Sequence, residues 1–165
     1  MLKVIRSLKE LDFHQLMQVY IEGNRENGAE FYPNLPENQQ LLQAEQDFYA
    51  YLREFFTDPC TLYAVWAPEG VYVAALRLEP YADGLLLAGL ETAPQYRKSG
   101  YATALVKQTL ENLSVQEKVN VYSHVSKKNL PSLRTHEKCG FRKILDYAVY
   151  ADGSVDDRCF TLCHE

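Results

Sequence analysis

The sequence predicts one mixed α/β domain over residues 1–165, with elements in the order β-α-α-β-β-β-α-β-α-β-β. Three observations predict this class. Apolar residues recur at helical spacing before residue 57, and short strand-like runs separated by turn signals follow from residue 60. Beyond residue 92, strand and helix patterns alternate, which favours a right-handed crossover between parallel strands. At 47% hydrophobic and 24% charged residues, the chain has the composition of a folded domain with a sizeable core.

The amino-terminal part is predicted to contain one strand and two helices. A strand over residues 2–6 precedes Asp12, which can cap a helix and form a capping box with Gln15. A second helix is predicted over residues 37–57. Between the two helices, residues 23–36 hold glycines, asparagines and prolines, and this composition predicts a loop or a broken helix.

The remaining chain alternates strands with helices. Three antiparallel strands are predicted over residues 61–67, 71–78 and 85–92, separated by Gly-containing turns. A helix with one apolar face follows over residues 102–113, and then a strand over 119–125 that should pair in parallel with strand 85–92. The last predicted elements are a helix over 130–139 and a hairpin of residues 142–150 and 155–163, joined by residues 151–154.

A turn suited to phosphate lies between strand 85–92 and the helix that follows it. Its sequence is Arg97-Lys98-Ser99-Gly100-Tyr101-Ala102. The first backbone N–H groups of a helix lack partners and the helix dipole adds about half a positive charge there, so an anion is stabilised. Gly100 permits close approach because it has no Cβ, and two basic side chains add charged donors. Taken alone, the turn either binds a phosphate or pyrophosphate or simply connects the strand to the helix.

A second segment, residues 129–141, favours the phosphate-binding interpretation of the turn. The pattern R-x-x-G-x-A, preceded by Pro-Gln-Tyr, resembles the acetyl-CoA pyrophosphate loop of the GCN5-related N-acetyltransferases (GNAT family). Residues 129–141 resemble the helix that follows in that family, N-x-x-A-x-x-x-Y-x-K/R-x-G-F. The resemblance extends over most of the chain. It implies the GNAT acyl-CoA N-acyltransferase fold, in which the central parallel strands, here 85–92 and 119–125, splay apart.

The resemblance also implies acetyl-CoA as co-substrate and a set of residues that hold it. Backbone groups near the end of strand 85–92 would pair with the pantetheine arm and polarise the thioester, and the turn would take the pyrophosphate. The implied cofactor-binding residues are Leu90, Thr92, Arg97, Lys98, Ser99, Gly100, Tyr101, Ala102, Asn129 and Ser132. Lys127 and Lys128 either reach the phosphates or form a solvated charged pair.

Glu91 is the candidate general base. Transfer to an amine needs the free base, and Glu91 ends the strand beside the expected thioester, where it could take a proton directly or through water. Strict strand alternation aligns Glu91 with Leu87 and Gly89 and leaves open which face meets the cleft. Glu91 could instead hold the substrate or serve the fold, and His124 on the next strand is a weaker alternative base.

His136 stands where the family pattern has a Tyr that is often proposed to protonate the departing thiolate. A neutral imidazole can donate a proton or a hydrogen bond, so His136 is the candidate acid, with a packed histidine as the competing interpretation. Cys139 could be proposed as a nucleophile, but its place near the end of the helix favours packing. The sequence therefore predicts direct transfer in a ternary complex without an acyl-enzyme.

The acceptor pocket is expected to be formed by residues 24–36 and 151–154. Glu26 and Glu30 are candidate anchors for an amine, with a solvated position as the alternative, and Phe31 and Tyr32 are candidate apolar walls. The residue types do not separate a small-molecule amine from a peptide amine. A homodimer through the last strands is conceivable, although no feature requires it.

Composition limits the other partners and the location. A net charge of −5 opposes nucleic-acid binding and favours a cationic amine. No apolar stretch is long enough for a signal peptide or a membrane span, so a cytoplasmic location is expected. The four cysteines contain no C-x-x-C pair, which predicts reduced thiols, and no metal site is expected, since Cys159 and Cys163 share a strand face that excludes His164.

These observations together predict an acetyl-CoA-dependent N-acetyltransferase acting on a primary amine. The alternative is a non-catalytic acyl-CoA-binding module or sensor, because the usual Tyr is replaced and the base is not fixed by the sequence. A nucleotide-binding domain of another doubly wound type is disfavoured, because the Lys-Ser/Thr of a P-loop is missing.

Overall fold

A computed structural model describes all 165 residues and contains a mixed sheet with helices on both faces. The strands, in chain order, are β1 (Leu2–Ile5), β2 (Leu62–Trp66), β3 (Ala74–Tyr81), β4 (Gly84–Thr92), β5 (Val121–Ser126), β6 (Arg142–Leu145), β7 (Ala148–Val149), β8 (Val155–Asp156) and β9 (Cys159–His164). The helices are α1 (Phe13–Val19), α2 (Ile21–Phe31), α3 (Glu37–Phe55), α4 (Tyr101–Gln116) and α5 (Leu130–Lys138).

The main sheet has seven strands in the order β1-β2-β3-β4-β5-β9-β6. All neighbours are antiparallel except β4 and β5, which pair in parallel as the sequence predicts. The predicted final hairpin is interrupted: β6 pairs with β9 in the main sheet, whereas β7 and β8 form a separate small hairpin. Helix α4 supplies the crossover between β4 and β5.

The region before α3 differs from the loop that its glycines and asparagines suggest. The predicted loop or broken helix is wrong for most of residues 23–36, because residues 23–31 lie within the unbroken helix α2 and only residues 32–36 form a loop; the helical path breaks earlier, at Tyr20. Gly28 explains part of the composition: a Cβ there would lie 2.5 Å from the Gln40 carbonyl oxygen on α3. This glycine therefore permits close packing of α2 on α3, and the chain turns only after Phe31, at the prolines.

Asp12 caps α1 as predicted, but Gln15 does not complete a reciprocal capping box. The Asp12 carboxylate accepts a hydrogen bond from the Gln15 backbone N–H at 3.1 Å. The Gln15 side chain donates to Asp12 and to the Gly70 carbonyl, and it accepts from the Tyr72 N–H at 2.8 Å. This side chain therefore ties the start of α1 to the segment before β3.

Two apolar clusters cover the two faces of the sheet. One lies beneath α1, α2 and α3 and includes Leu16, Leu52, Tyr63 and Ala75. The other lies beneath α4 and α5 and contains Leu76, Leu87, Leu105, Val106 and Val121, among others. These faces are called here the α1–α3 face and the α4–α5 face. None of the helices combines the length and apolar character needed to cross a bilayer.

Candidate active site

The turn between β4 and α4 presents unpaired backbone donors. The N–H groups of residues 98–100 donate to no acceptor in the protein, and the first turn of α4 adds further N–H groups without helical partners. Lys98 and Gly100 have φ angles of +62° and +79°, and no atom lies within 4 Å of a Cβ added to Gly100. The turn is exposed, so these donors can receive an anion such as pyrophosphate.

The Arg97 side chain is directed away from these donors. Its Nη2 lies 2.7 Å from a Glu22 carboxylate oxygen on α2 and 3.7 Å from one of Glu91, and its Nε donates to the Thr92 carbonyl at 3.3 Å. Arg97 therefore joins the turn to the acidic side chains of α2 and β4. Lys98, which belongs to the turn itself, is exposed and forms no ion pair.

Strands β4 and β5 separate soon after they meet. Backbone pairing is limited to Leu85 with Val121 and Leu86 with Tyr122. One residue further on, the hydroxyl of Ser123 lies 3.1 Å from the Leu87 carbonyl, within hydrogen-bond distance, where a backbone bond would otherwise be. The β4 edge from residue 88 to 92 therefore has backbone groups facing a gap, where an extended pantetheine arm can pair with Leu90 and Thr92.

A β-bulge decides where Glu91 points. Ala88 pairs with Arg77 and Glu91 with Ala75, so β4 has one residue more than β3 in this interval. Gly89 adopts a φ of +61° and supplies that extra residue. The strict alternation that groups Glu91 with Leu87 is therefore wrong: Leu87 belongs to the α4–α5 face, whereas Glu91 shares the α1–α3 face with Ala75.

The environment of Glu91 suits a proton acceptor. Partial burial raises the pKa of Glu91 above its ordinary value of 4.5, Arg97 opposes this effect, and the charges of Glu22 and Glu26 add to it. The side chain is 48% exposed and can therefore be reached. Glu22 and Glu26 lie one turn apart on α2, so Glu91 and α2 together form an acidic patch that attracts a cation. Glu30 is exposed at the end of the same helix.

His124 lies on the same face as Glu91 but in a more enclosed aromatic group. Its Nε2 is 3.2 Å from the Tyr81 hydroxyl, and its ring packs edge-on against Tyr81 and Tyr150. Burial lowers the pKa of His124 below its ordinary value of 6.5, so the imidazole is neutral at neutral pH. Tyr150 lies in the β7–β8 hairpin and directly precedes residues 151–154, so the hairpin reaches this face of the sheet beside those residues.

His136 lies on the opposite face, buried behind the gap between the two strands. It is 1% exposed, and its Nδ1 lies 2.7 Å from the Ser132 carbonyl, which fixes the proton on Nδ1. Its Nε2 is then an acceptor and lies 2.9 Å from the Ser123 hydroxyl, whose single proton is shared between Nε2 and the Leu87 carbonyl. Burial lowers the pKa of His136 below 6.5, so the imidazole is neutral and reaches the gap only through Ser123.

This burial makes stability depend on pH in a defined direction. Because the folded-state pKa of His136 is depressed, the unfolded chain takes up a proton that the folded chain resists as pH falls below about 6.5. We expect unfolding free energy to decrease over that interval and His136→Asn to flatten the decrease, measured by urea unfolding across pH. His124→Asn is the matched comparison: the pKa of His124 is also lowered by burial, so this variant measures the share of the pH dependence that comes from the second histidine. An unchanged pH profile in His136→Asn would contradict the assignment.

The residues predicted at the start of α5 have roles within the fold as well. Asn129 caps α5 by accepting a hydrogen bond from the Ser132 N–H at 3.2 Å, and the Ser132 hydroxyl lies 3.3 Å from His136 Nδ1. The Lys127 Nζ lies 5.2 Å from the centre of the Phe160 ring, whereas Lys128 is exposed. Asn129 retains its amide N–H groups for a ligand.

Cys139 is not placed or ionised as a nucleophile would be. The residue is 7% exposed, and its Sγ contacts the Thr103 carbonyl on α4 at 3.7 Å. Burial raises the pKa of the Cys139 thiol above 9.0, which disfavours the thiolate. The thiol therefore packs between α4 and α5. No group of three or more His, Cys, Asp or Glu side chains is close enough together to hold a metal ion.

A cavity of about 250 Å³ lies between α2 and α3. Part of the segment predicted to form the acceptor pocket contributes to it. Its lining residues are Asn24, Asn27, Phe31, Tyr32, Ala44, Asp47, Phe48 and Tyr51. Asp47 accepts hydrogen bonds from Tyr32 and Gln43, so its carboxylate is already engaged, and the cavity is mainly aromatic.

The sequence patterns did not single out Tyr20 and Arg77, the two polar residues beside the bulge at Gly89. Tyr20 donates a hydrogen bond to the Gly89 carbonyl, and a Cβ at Gly89 would lie 2.6 Å from Arg77 Nη1. Arg77 sits on β3 directly opposite Tyr63 of β2. The available signals were an arginine in an otherwise apolar strand and a glycine within the next one.

The fold is a mixed sheet that opens between its parallel strands beside a turn of free N–H groups, and this is the architecture of an acyltransferase class of enzyme. The model of the acetyltransferase (GNAT) family matches residues 15–141, and the chain belongs to that family. It is therefore an acyl-CoA-dependent N-acyltransferase, with acetyl-CoA as the family's co-substrate. No curated protein sequence matches the chain.

Solved structures share the fold at low sequence identity. The PaiA N-acetyltransferase of Thermoplasma acidophilum, in complex with coenzyme A, has a TM-score of 0.65 at 13% identity, with 100% of this chain and 99% of that chain covered. An aminoglycoside 6'-acetyltransferase type Ii has a TM-score of 0.66 at 15% identity, covering 99% and 96%. The ribosomal-protein-S18-alanine N-acetyltransferase of Escherichia coli has a TM-score of 0.63 at 17% identity, covering 99% and 92%.

Proposed function

We propose that the protein transfers the acetyl group of acetyl-CoA directly to a primary amine, with Glu91 receiving the proton that the amine loses. One observation carries the proposal. The bulge at Gly89 turns the carboxylate of Glu91 to the α1–α3 face at the same strand end from which the backbone enters the free N–H turn. The proposed proton acceptor and the proposed pyrophosphate turn of residues 98–100 are therefore seven to nine residues apart on one continuous stretch, residues 91–100.

The turn and the gap support the cofactor half of the proposal. The N–H groups of residues 98–100, with Lys98 and the start of α4, would hold the pyrophosphate, and Asn129 would contact the arm. Backbone groups of Leu90 and Thr92 would pair with the arm along the open edge of β4. Acetyl-CoA supplies an activated thioester; the chain supplies its orientation and N–H donors toward the carbonyl oxygen.

The acidic patch supports the acceptor half. Glu91, Glu22 and Glu26 attract an ammonium group, and the raised pKa of Glu91 brings its proton affinity closer to that of an amine. Arg97 pairs with Glu22 and Glu91, which keeps both carboxylates in place. The named relatives act on different acceptors, so the fold leaves the acceptor to be found by experiment.

His136 and Ser123 support a role at the leaving group. The imidazole holds the Ser123 hydroxyl at the point where β4 and β5 part. We propose that His136 acts on the departing thiolate only through this hydroxyl, as a positioning residue that keeps the gap open at a fixed width. This is a more limited role than that of the general acid which the family's Tyr suggests.

The direct test is release of free CoA on mixing the protein with acetyl-CoA and a library of primary amines. We expect release that depends on an amine, and Cys139→Ala should retain it because no acyl-enzyme forms. Acetyl-CoA binding by calorimetry, at about micromolar affinity, establishes the cofactor half independently. Binding without turnover by any amine would favour an acyl-CoA sensor, and loss of turnover in a Cys139→Ala protein that still binds acetyl-CoA would exclude direct transfer.

A further inference from the structure

Arg77 is a half-buried cation with unused hydrogen-bonding capacity. Its Nε is inaccessible and has no hydrogen-bond partner. The nearest carboxylate oxygen, from Glu79, lies 3.6 Å away, which is an ionic contact too long for a hydrogen bond. Directly opposite on β2, the hydroxyl of Tyr63 is also inaccessible and without a partner, and Tyr63 is 0% exposed. The Arg77 Nε and the Tyr63 hydroxyl, on paired residues, therefore each lack a hydrogen-bond partner within the protein.

The surroundings of Arg77 hold the guanidinium in place. The ring of Tyr51 lies 5.5 Å from Arg77 Cζ, and this tyrosine also lines the cavity between α2 and α3. The absence of a side chain at Gly89 leaves room for Arg77 Nη1, since a Cβ there would be 2.6 Å away. The guanidinium is thus fixed between an aromatic wall and the bulge, with its side chain 28% exposed.

Arg77 and Glu91 lie near each other on the same face of the sheet. Both residues lie on the α1–α3 face, where Arg77 pairs with Ala88 and Glu91 pairs with Ala75. Arg77 and Ala75 are two residues apart on β3, which corresponds to about 6–7 Å along the strand. A cationic group and an acidic patch therefore lie side by side on the α1–α3 face.

We infer that Arg77 binds a carboxylate of the acceptor and that the acceptor is a small amino acid rather than a simple amine. The ammonium would face Glu91, Glu22 and Glu26, while the carboxylate would accept hydrogen bonds from the Nη groups of Arg77, because its Nε is inaccessible. Guanidinium and carboxylate form paired, charge-assisted hydrogen bonds, and a carboxylate is the acceptor that this site lacks. The inference deepens the proposed function and rests on it.

The test compares matched acceptors on the unmodified protein. CoA release is measured with a panel of amino acids, each alongside its primary amide and its decarboxylated amine. We expect kcat/KM for the best amino acid to exceed that for its amide by about 10- to 100-fold, the effect of a hydrogen bond to a charged group. Because this comparison uses no variant, it does not depend on whether a substituted protein folds.

Variants then assign the preference to Arg77. Arg77→Gln should remove the preference by slowing the amino acid and leaving the amide unchanged, whereas Arg142→Gln, which removes the same charge from an exposed position on β6, should change neither. Acetyl-CoA binding by each variant confirms that it is folded. Retention of the preference in a folded Arg77→Gln protein would overturn the assignment.

The outcomes separate this inference from the proposed function. Turnover of decarboxylated amines or amides at rates equal to or above those of the acids would leave amine acetylation standing and overturn the carboxylate site. Absence of turnover with every acceptor, in a protein that binds acetyl-CoA, would overturn the proposed transfer and the carboxylate site with it.

Discussion

Replacing Glu91 with Gln is expected to lower kcat for amine acetylation by about 10²- to 10⁴-fold, the usual contribution of a general base. The amide is nearly the same size as the carboxylate and can still hydrogen-bond, but it cannot accept the proton. Acetyl-CoA affinity should be unchanged, because the turn of residues 98–100 is intact. Steady-state kinetics and calorimetry on the same preparation measure the two quantities.

Glu22→Gln is the matched control for this variant. Glu22 belongs to the same acidic patch and contacts Arg97 at 2.7 Å, so its substitution removes the same charge without removing the proposed base. We expect a higher KM for a cationic acceptor with kcat retained within a few-fold. Equal losses of kcat in Glu22→Gln and Glu91→Gln would mean that Glu91 contributes charge alone.

The pH profile gives an independent readout of the same residue. Glu91 accepts a proton only when it is ionised, so the rate of transfer should rise with pH through its pKa. Partial burial raises that pKa above 4.5, so the rise should lie at higher pH than for an exposed carboxylate. The Glu91→Gln enzyme should lack this limb, and a wild-type limb that persists in the variant would point to another group, such as His124.

The sequence predicted the strand and helix order well because each element has its own signal. Apolar runs bounded by turn signals specified β2, β3 and β4, and an apolar stripe specified α4. The segment of α2 was harder to assign because Gly28 is present for its close approach to Gln40, a reason that depends on the neighbouring helix. A contact between elements distant in the chain leaves no periodic trace in either one.

The part of the site formed by local backbone was predictable from the sequence. The part that depends on how β3 and β4 pair was not. The turn at residues 98–100 follows from local sequence, since a strand, a glycine and a helix suffice to expose N–H groups. The side on which Glu91 lies depends on one extra residue in β4, which reverses the alternation. Gly89 was the visible signal of a bulge, but Arg77 and Tyr20, which occupy its surroundings, come from other elements.

Replacing Gly100 with Trp is expected to lower acetyl-CoA affinity by at least about 100-fold. The indole ring would lie beside the N–H groups of residues 98–100 and exclude the pyrophosphate, and loss of two charge-assisted hydrogen bonds at about 1.5 kcal/mol each corresponds to that factor. No atom lies within 4 Å of the new Cβ, so the core is untouched. Calorimetry with acetyl-CoA measures the loss directly.

The backbone strain of this substitution requires its own control. Gly100 has a φ of +79°, where a residue with a Cβ costs about 1–2 kcal/mol, so the variant should also be less stable. Gly70 has a φ of +82° and equally open space, but it lies before β3, outside the turn. Gly70→Trp should therefore lose a similar amount of stability and bind acetyl-CoA normally. If both variants lost affinity equally, strain would explain the effect and the turn would not be the pyrophosphate site. If only Gly100→Trp lost it, the free N–H groups would be the cofactor's anchor.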